Sequence, residues 1–138
     1  MIYRGELMVA TRGRGIYDIT RDVVRIVGAS RAREGLATIW IAHTSASLIV
    51  SENADASVRR DLEAFAARLV PDGDTLFTHD AEGDDDMPAH VRSVLTQTSI
   101  GIPLADGQLV LGIWQGLYLW EHRKTPHDRR LTISVIGE

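Results

Sequence analysis

The chain has 138 residues, 44% hydrophobic and 25% charged, which is globular usage and excludes a disordered or low-complexity protein. Fifteen basic side chains face 19 acidic ones for a formal charge of −4, so nothing supports a nucleic-acid binder working by bulk charge. Cysteine is absent, which excludes a disulfide scaffold, a thiolate zinc finger, an iron–sulfur cluster and a cysteine nucleophile.

The length suits one domain spanning residues 1–138. Leu7–Arg14 reads as a first strand, closed by Gly13 and Gly15. Asp18 or Thr20 then caps a helix in which Ile16, Ile19, Val23, Ile26 and Val27 recur at helical steps, until Gly28 or Gly35 ends it. Leu36–His43 and Ala46–Glu52 read as strands separated by a short polar break. Asn53 or Asp55 caps a second helix, with Val58, Leu62, Phe65 and Leu69 as its predicted buried face. Arg59, Arg60, Glu63 and Arg68 fall on the side predicted to be wet. Pro71-Asp72-Gly73-Asp74 is a stop and turn.

A third helix is expected from Met87 to Leu95, capped by Asp86, with Pro88 in its first turn. Strands Ser99–Leu104 and Gln108–His122 flank the hairpin signal Asp106-Gly107, and Arg130–Ile136 closes the chain. Such short turns require antiparallel neighbours, so the fold class is α+β. The N-terminal residues carry charges where a signal peptide needs an apolar run, and the uncharged stretch Gln108–Trp120 is too short to span a bilayer. A soluble, cytoplasmic protein is expected.

Without cysteine, a metal must be held by histidine and carboxylate. His43 ends a strand, His79 opens an acidic run, His90 lies on the third helix beside Val91, Val94 and Leu95, and His122 ends the longest strand. A lone histidine is more often a surface or hydrogen-bonded residue, but several at the ends of apolar segments point to a shared site. Their spacing has no HExxH or HxH signature. Asp80 to Asp86 hold five carboxylates in seven residues, without the EF-hand pattern. One acid suffices as a cap; the others call for a nearby cation, either a divalent metal or an arginine cluster. Arg123, Lys124, His127, Arg129 and Arg130 form such a cluster, which could bind a diphosphate or cover the acidic loop by salt bridges. Thr44-Ser45-Ala46-Ser47 adds hydroxyls but lacks the form of a nucleophile elbow. Trp114 and Trp120 could stack on an aromatic substrate or pack against a partner subunit, and the long strand pair favours a homo-oligomer.

The stretches HTSASLIVSENAD (43–55), HDAEGDDDMPAH (79–90) and LGIWQGLYLWEHR (111–123) resemble the YjbQ-like family, whose members carry the name secondary thiamine-phosphate synthase. The resemblance implies an α+β fold with a mainly antiparallel, barrel-like sheet and about three helices, assembled as a homotrimer. It also implies sites near subunit boundaries that hold a divalent metal, Mg²⁺ or Zn²⁺. The residues carried over are His43, Asn53, His79, Glu82, Asp86, His90, Gln115, Glu121, His122 and Arg123. On this reading His43, His79 and His90 lie at the metal, and Glu82, Asp86 and His122 are catalytic. Ser45, Asn53, Gln115, Arg123 and Arg130 then bind the substrate. The family name implies joining a pyrimidine methyl diphosphate to a thiazole phosphate with release of diphosphate. Two alternatives stay open: metal-assisted hydrolysis of a phosphate ester, and a non-enzymatic trimer that binds an anionic metabolite. None of the three involves nucleic acid or a membrane.

Overall fold

Short turns fold each apolar run back on its neighbour, and every strand pair is antiparallel. The computed structural model describes residues 1–138. The element order is β1 (Ile2–Ala10), β2 (Gly15–Asp18), α1 (Thr20–Ala29), β3 (Gly35–Ile41), β4 (Ala46–Glu52), α2 (Ala56–Leu69), α3 (Asp86–Leu95), β5 (Ser99–Ala105), β6 (Gln108–Leu109), β7 (Gln115–Glu121) and β8 (Asp128–Gly137). Five strands form one sheet in the order β1-β8-β3-β5-β6, and three form another in the order β2-β7-β4. The sheets curl in barrel-like fashion around a single cluster of 19 buried apolar residues. The fold is α+β, mainly antiparallel, with three helices, as the sequence implies.

β8 alternates as a half-buried strand should: Leu131, Ile133 and Val135 are buried, and it pairs with β1 on one side and β3 on the other. β7 differs. It lies between β2 and β4, and all its residues from Gly116 to Glu121 are buried. Leu117 and Leu119 enter the core, while Tyr118 and Trp120 point to the opposite face and meet α2. α1 lays Val23, Ile26 and Val27 on the core as its periodicity predicts. Thr20 Oγ1 accepts the Leu117 N–H at 2.9 Å and ties the start of that helix to β7. The Asp106-Gly107 turn has φ of 52° and 79° and pairs Leu104 with Leu109, a left-handed two-residue hairpin of the expected kind.

Four expectations need correction. The first strand runs over Ile2–Ala10 rather than from Leu7 to Arg14, because only Leu7 of this edge strand is buried and the alternation is weak before it. Residues 15–18 form β2 on β7, so Ile16, counted in the apolar stripe of the first helix, lies on a strand instead. The long strand expected over Gln108–His122 is two strands in different sheets. Between them the Gly112 N–H donates to Gln115 Oε1 and the Gln115 N–H to the Gly112 carbonyl, a tight turn that leaves Ile113 and Trp114 exposed.

The fourth correction concerns α2 and α3, both of which turn polar or small residues inward. Phe65 and Leu69, expected to be buried, are exposed, whereas Ala66 and Val70 are buried. Arg59 and Glu63, expected in water, reach the sheet. Arg59 Nη1 donates to the Tyr118 hydroxyl at 3.3 Å, and Glu63 Oε1 accepts from Trp120 Nε1 at 3.3 Å. Residues 59, 63, 66 and 70 follow helical spacing, so the helix is rotated to satisfy two buried aromatic polar atoms. α3 likewise buries Asp86, Ala89, Arg92 and Ser93 and exposes Val94 and Leu95. Arg92 Nη1 pairs with Glu63 Oε2 at 2.8 Å and so joins the two helices.

This arrangement makes Glu63 more important to stability than the larger apolar side chains beside it. Glu63→Ala should lower stability by about 1–3 kcal/mol, because it strands the buried Arg92 and the Trp120 N–H. Phe65→Ser should stay within about 0.5 kcal/mol of the parent. Urea denaturation midpoints read both, and the opposite ranking would refute the orientation.

Candidate functional site

α3 begins where the acidic run ends, and its first residue is the centre of the site. Asp86 is only 2% exposed, and both its carboxylate oxygens are engaged. Oδ1 accepts from Arg123 Nη1 at 2.8 Å. Oδ2 lies 2.8 Å from His79 Nε2 and 3.2 Å from His90 Nε2. His90 is one helical turn after Asp86, so the two share a face of α3. His79 arrives from the loop between α2 and α3. The three ligating atoms lie within 4.8 Å of one another.

The hydrogen bond on the far side of His90 decides its tautomer. His90 Nδ1 is 2.9 Å from the Thr44 carbonyl oxygen, which can only accept, so Nδ1 carries the proton. In a neutral ring the Nε2 lone pair then points at Asp86 Oδ2, two electron-rich atoms facing each other. A proton on Nε2 resolves this, and so does a metal cation held between the two atoms. Bonds of about 2.1 Å to a shared zinc-like ion at right or tetrahedral angles separate neighbouring ligand atoms by about 3.0–3.4 Å. The observed 2.8 and 3.2 Å need little adjustment to fit. The backbone carbonyl on Nδ1 is also the usual orienting partner of a metal-bound imidazole.

Arg123 organises the carboxylates around this point. Its Nε donates to Asp85 Oδ2 at 3.0 Å and its Nη2 to the Glu82 carbonyl at 2.9 Å. Burial would raise the Asp85 pKa, but the Lys124 backbone N–H and Arg123 outweigh it and hold the carboxyl below its ordinary value. Lys124 Nζ approaches Asp72 at 3.3 Å and Asp84 at 3.5 Å. Of the two roles open to the basic cluster, Arg123 and Lys124 fill the salt-bridge role. A Cβ on Gly13 would lie 2.4 Å from the Lys124 carbonyl, so glycine there, at φ +111°, lets the 123–125 turn pack close.

The remaining sequence-derived residues lie in other settings. His43 Nε2 accepts the Arg130 N–H at 2.8 Å, and desolvation followed by the Arg129 charge lowers its pKa. Its lone pair is therefore occupied away from the His79–Asp86–His90 cluster. The Arg130 side chain is exposed and unpaired, free to meet an anion. Glu82 is exposed, with only its carbonyl engaged. Ser45 Oγ accepts from Arg129 Nη2 at 2.9 Å. Asn53 Nδ2 donates to the Ile113 carbonyl at 3.2 Å, so Asn53 and Gln115 both brace the turn before β7. His122 is fully buried, with Nε2 2.8 Å from Ser47 Oγ. Its alternation with Glu121 puts it on the face of β7 shared with Trp120, 5.2 Å between ring centroids.

Sequence reasoning passed over Arg92 and Thr11, put Glu63 on the wet side of α2, and gave Arg129 only a share in a cluster. Thr11 Oγ1 donates to the buried Glu121 at 2.7 Å, and Arg129 pairs with the same carboxylate through Nε and Nη2. The signal available was Arg129 on the inward register of β8, with Leu131, Ile133 and Val135.

The fold and site define an α+β protein with a two-histidine, one-carboxylate cluster at the start of a helix. Residues 5–138 match the UPF0047 protein YjbQ-like family, and the chain belongs to that family. It is 48% identical over 132 residues to UPF0047 protein sll1880 of Synechocystis sp., covering 96% of this chain and 90% of that one. It is 38% identical to UPF0047 protein YjbQ of Escherichia coli O157:H7 over the full length of both. Among solved structures, a Clostridium acetobutylicum protein described as an uncharacterized member of the yjbq/upf0047 family superposes with a TM-score of 0.87 at 33% identity, covering 96% of this chain and 99% of that one. A YbjQ-like protein of unknown function from Sulfolobus solfataricus shares the fold, with a TM-score of 0.92 at 24% identity over 100% of this chain and 99% of that one.

Burial, and then the charges of Arg92, Arg14 and Arg129, push the His122 pKa down from 6.5 to about 3. The folded state thus binds its proton less readily than the unfolded state. The associated stability is complete above about pH 6.5 and is lost as pH falls toward about 3. His122→Gln removes this titration while keeping a partner for Ser47. Its urea midpoint should fall less steeply than the parent's between about pH 6.5 and pH 5. Parallel curves would contradict the neutral buried imidazole.

Proposed function

We propose that this chain is a divalent-metal enzyme acting on a phosphorylated small molecule, with the ion at His79, Asp86 and His90. The observation that carries the reading is the His90 ring, whose Nδ1 proton is committed to the Thr44 carbonyl while Nε2 faces Asp86. The two-imidazole, one-carboxylate donor set suits Zn²⁺ or another borderline ion better than Mg²⁺, which favours all-oxygen coordination. When bound, such an ion neutralises phosphoryl oxygens and polarises the bond to the leaving group.

The protein's own residues supply the rest. Arg123 fixes the Asp86 carboxylate from behind, so that oxygen Oδ2 keeps its direction. His79 is half-exposed and leaves the cluster open to solvent on one side, where a substrate can enter. Glu82 has a free carboxylate in the same loop and is the group we assign to proton transfer. Asp86 has no free oxygen for that task. Arg130 meets the anionic end of the substrate.

For the reaction we propose the diphosphate-releasing transfer implied by the family resemblance: a pyrimidine methyl diphosphate loses diphosphate as the thiazole phosphate nitrogen attacks its methylene. Hydrolysis of a phosphate ester is the second reading, because the half-exposed His79 leaves the cluster open to water. Exposed Trp40, Ile113 and Trp114 are the surfaces we assign to subunit contact in a homotrimer.

Metal titration tests the site before any activity is known. Protein prepared without chelator should bind one Zn²⁺ per chain, and His79→Ala or His90→Ala should weaken that binding at least about tenfold. His43→Ala should leave it unchanged. With zinc-loaded protein, diphosphate release only when both substrates are present supports the transfer. Phosphate release from single esters points to hydrolysis. No stoichiometric metal in the parent would overturn the reading.

A further inference from the structure

A second cavity, of about 210 Å³, opens between α2 and α3 over the outer face of β7. Phe65, Leu69, Leu95 and Trp120 give it apolar walls, and its polar members are Arg92, His122 and Thr96, whose hydroxyl donates to the Arg92 carbonyl. The first three are among the exposed apolar residues of the chain, so the walls are open at the surface.

Arg92 is 3% exposed, yet its Nε and Nη2 have no hydrogen-bond partner. Only Nη1 is used, by Glu63. Nε and Nη2 share one edge of the guanidinium, the edge that presents two parallel N–H bonds to the two oxygens of a carboxylate. His122 Nδ1 is buried and unpartnered as well. Three orphan polar atoms on two residues of one small cavity are unusual, since buried polar groups are nearly always satisfied. Each costs about 1–3 kcal/mol when left so. No other residue of the cavity carries a charge to meet them.

We propose that this cavity is a binding site for a small apolar monocarboxylate, its carboxylate on the Nε–Nη2 edge of Arg92 and its hydrocarbon body between Phe65, Leu69, Leu95 and Trp120. His122 Nδ1 takes the remaining hydrogen bond, donating while Nε2 accepts from the Ser47 hydroxyl. The volume is below the roughly 300–1,000 Å³ of drug-sized sites, which confines the ligand to about ten non-hydrogen atoms, the size of hexanoate or benzoate. A phosphate monoester carries more charge and hydration than this apolar pocket and single free guanidinium edge can compensate. The site is separate from the His79–Asp86–His90 cluster, so either assignment can fail without the other.

Calorimetric titration of the full chain with hexanoate and benzoate tests the proposal, with hexanamide and benzamide as uncharged isosteres. Saturable binding of an acid, at least about tenfold stronger than its amide, is expected. Arg92→Met should abolish it. Because that variant also releases Glu63, Leu69→Asp provides a surface control that folds normally and repels the acid at the cavity mouth. It should weaken binding by a similar factor while zinc binding at the other cluster is unchanged. Equal binding of acid and amide, no saturation by either acid, or indifference to Leu69→Asp would overturn the proposal. So would light scattering showing that Leu69→Asp dissociates an oligomer, because the face would then be covered by a second copy.

Discussion

The two sheets are joined by one carboxylate with no access to water. Glu121 ends β7 in the three-stranded sheet, and its oxygens accept from Arg129 on β8 and from Thr11 just beyond β1, both of the five-stranded sheet. Desolvation alone would raise its pKa, yet the Arg129 and Thr11 hydrogen bonds hold it below the ordinary glutamate value, so the charge persists in the interior. Removing one partner of such a pair strands the other, which makes the seam costly to open. Everything that follows β7 inherits this fixed point. Arg123 lies two residues on, and its backbone N–H donates to the same Glu121 carboxylate at 3.2 Å while its side chain reaches Asp85 and Asp86.

A line of polar contacts therefore runs from the sheet seam to the histidine cluster. Glu121 anchors the Arg123 backbone, Arg123 orients Asp86, and Asp86 gathers His79 and His90. Ser45 contributes from the other direction. Its carbonyl accepts the His122 N–H and its hydroxyl meets Arg129, which places the Thr44 carbonyl one residue earlier where His90 needs it. The candidate cluster is thus supported by buried ion pairs on one side and is open on the other.

Local signals were legible in the sequence and tertiary ones were not. The α1 stripe and the Asp106-Gly107 hairpin follow from periodicity and turn chemistry alone, and both stand as expected. His79, Asp86 and His90 lie within twelve residues of one another, and the need of so many carboxylates for a cation pointed to them. The orientation of α2 was hidden, because the Tyr118 hydroxyl and Trp120 indole decide it from 55 or more residues away. The division of Gln108–His122 was hidden for another reason: the stretch from Gln108 to Trp120 carries no charge and reads as one apolar run, while the break in it is made by the Gln115 side chain closing on Gly112. The family resemblance placed His43 at the metal, and only the fold shows its lone pair occupied by the Arg130 N–H.

The segment that carries His79 is built unlike the rest of the molecule. None of residues 71–84 is buried, and Phe77 is the one apolar side chain among them that is even partly covered. They are pinned by the Arg14–Asp72 pair at 2.8 Å, by Lys124 on Asp72 and Asp84, and by the Gly73 N–H on the Asp84 carbonyl. The Lys124–Asp84 contact is more than half exposed and open to screening by salt, while Arg14 and Asp72 are mostly covered and resist it. This loop is therefore held by charge pairs rather than by the core, and added salt loosens its Lys124 contact with Asp84 while the Arg14–Asp72 pair persists. The half of the cluster supplied by His79 is adjustable, while the half supplied by Asp86 and His90 is as rigid as α3.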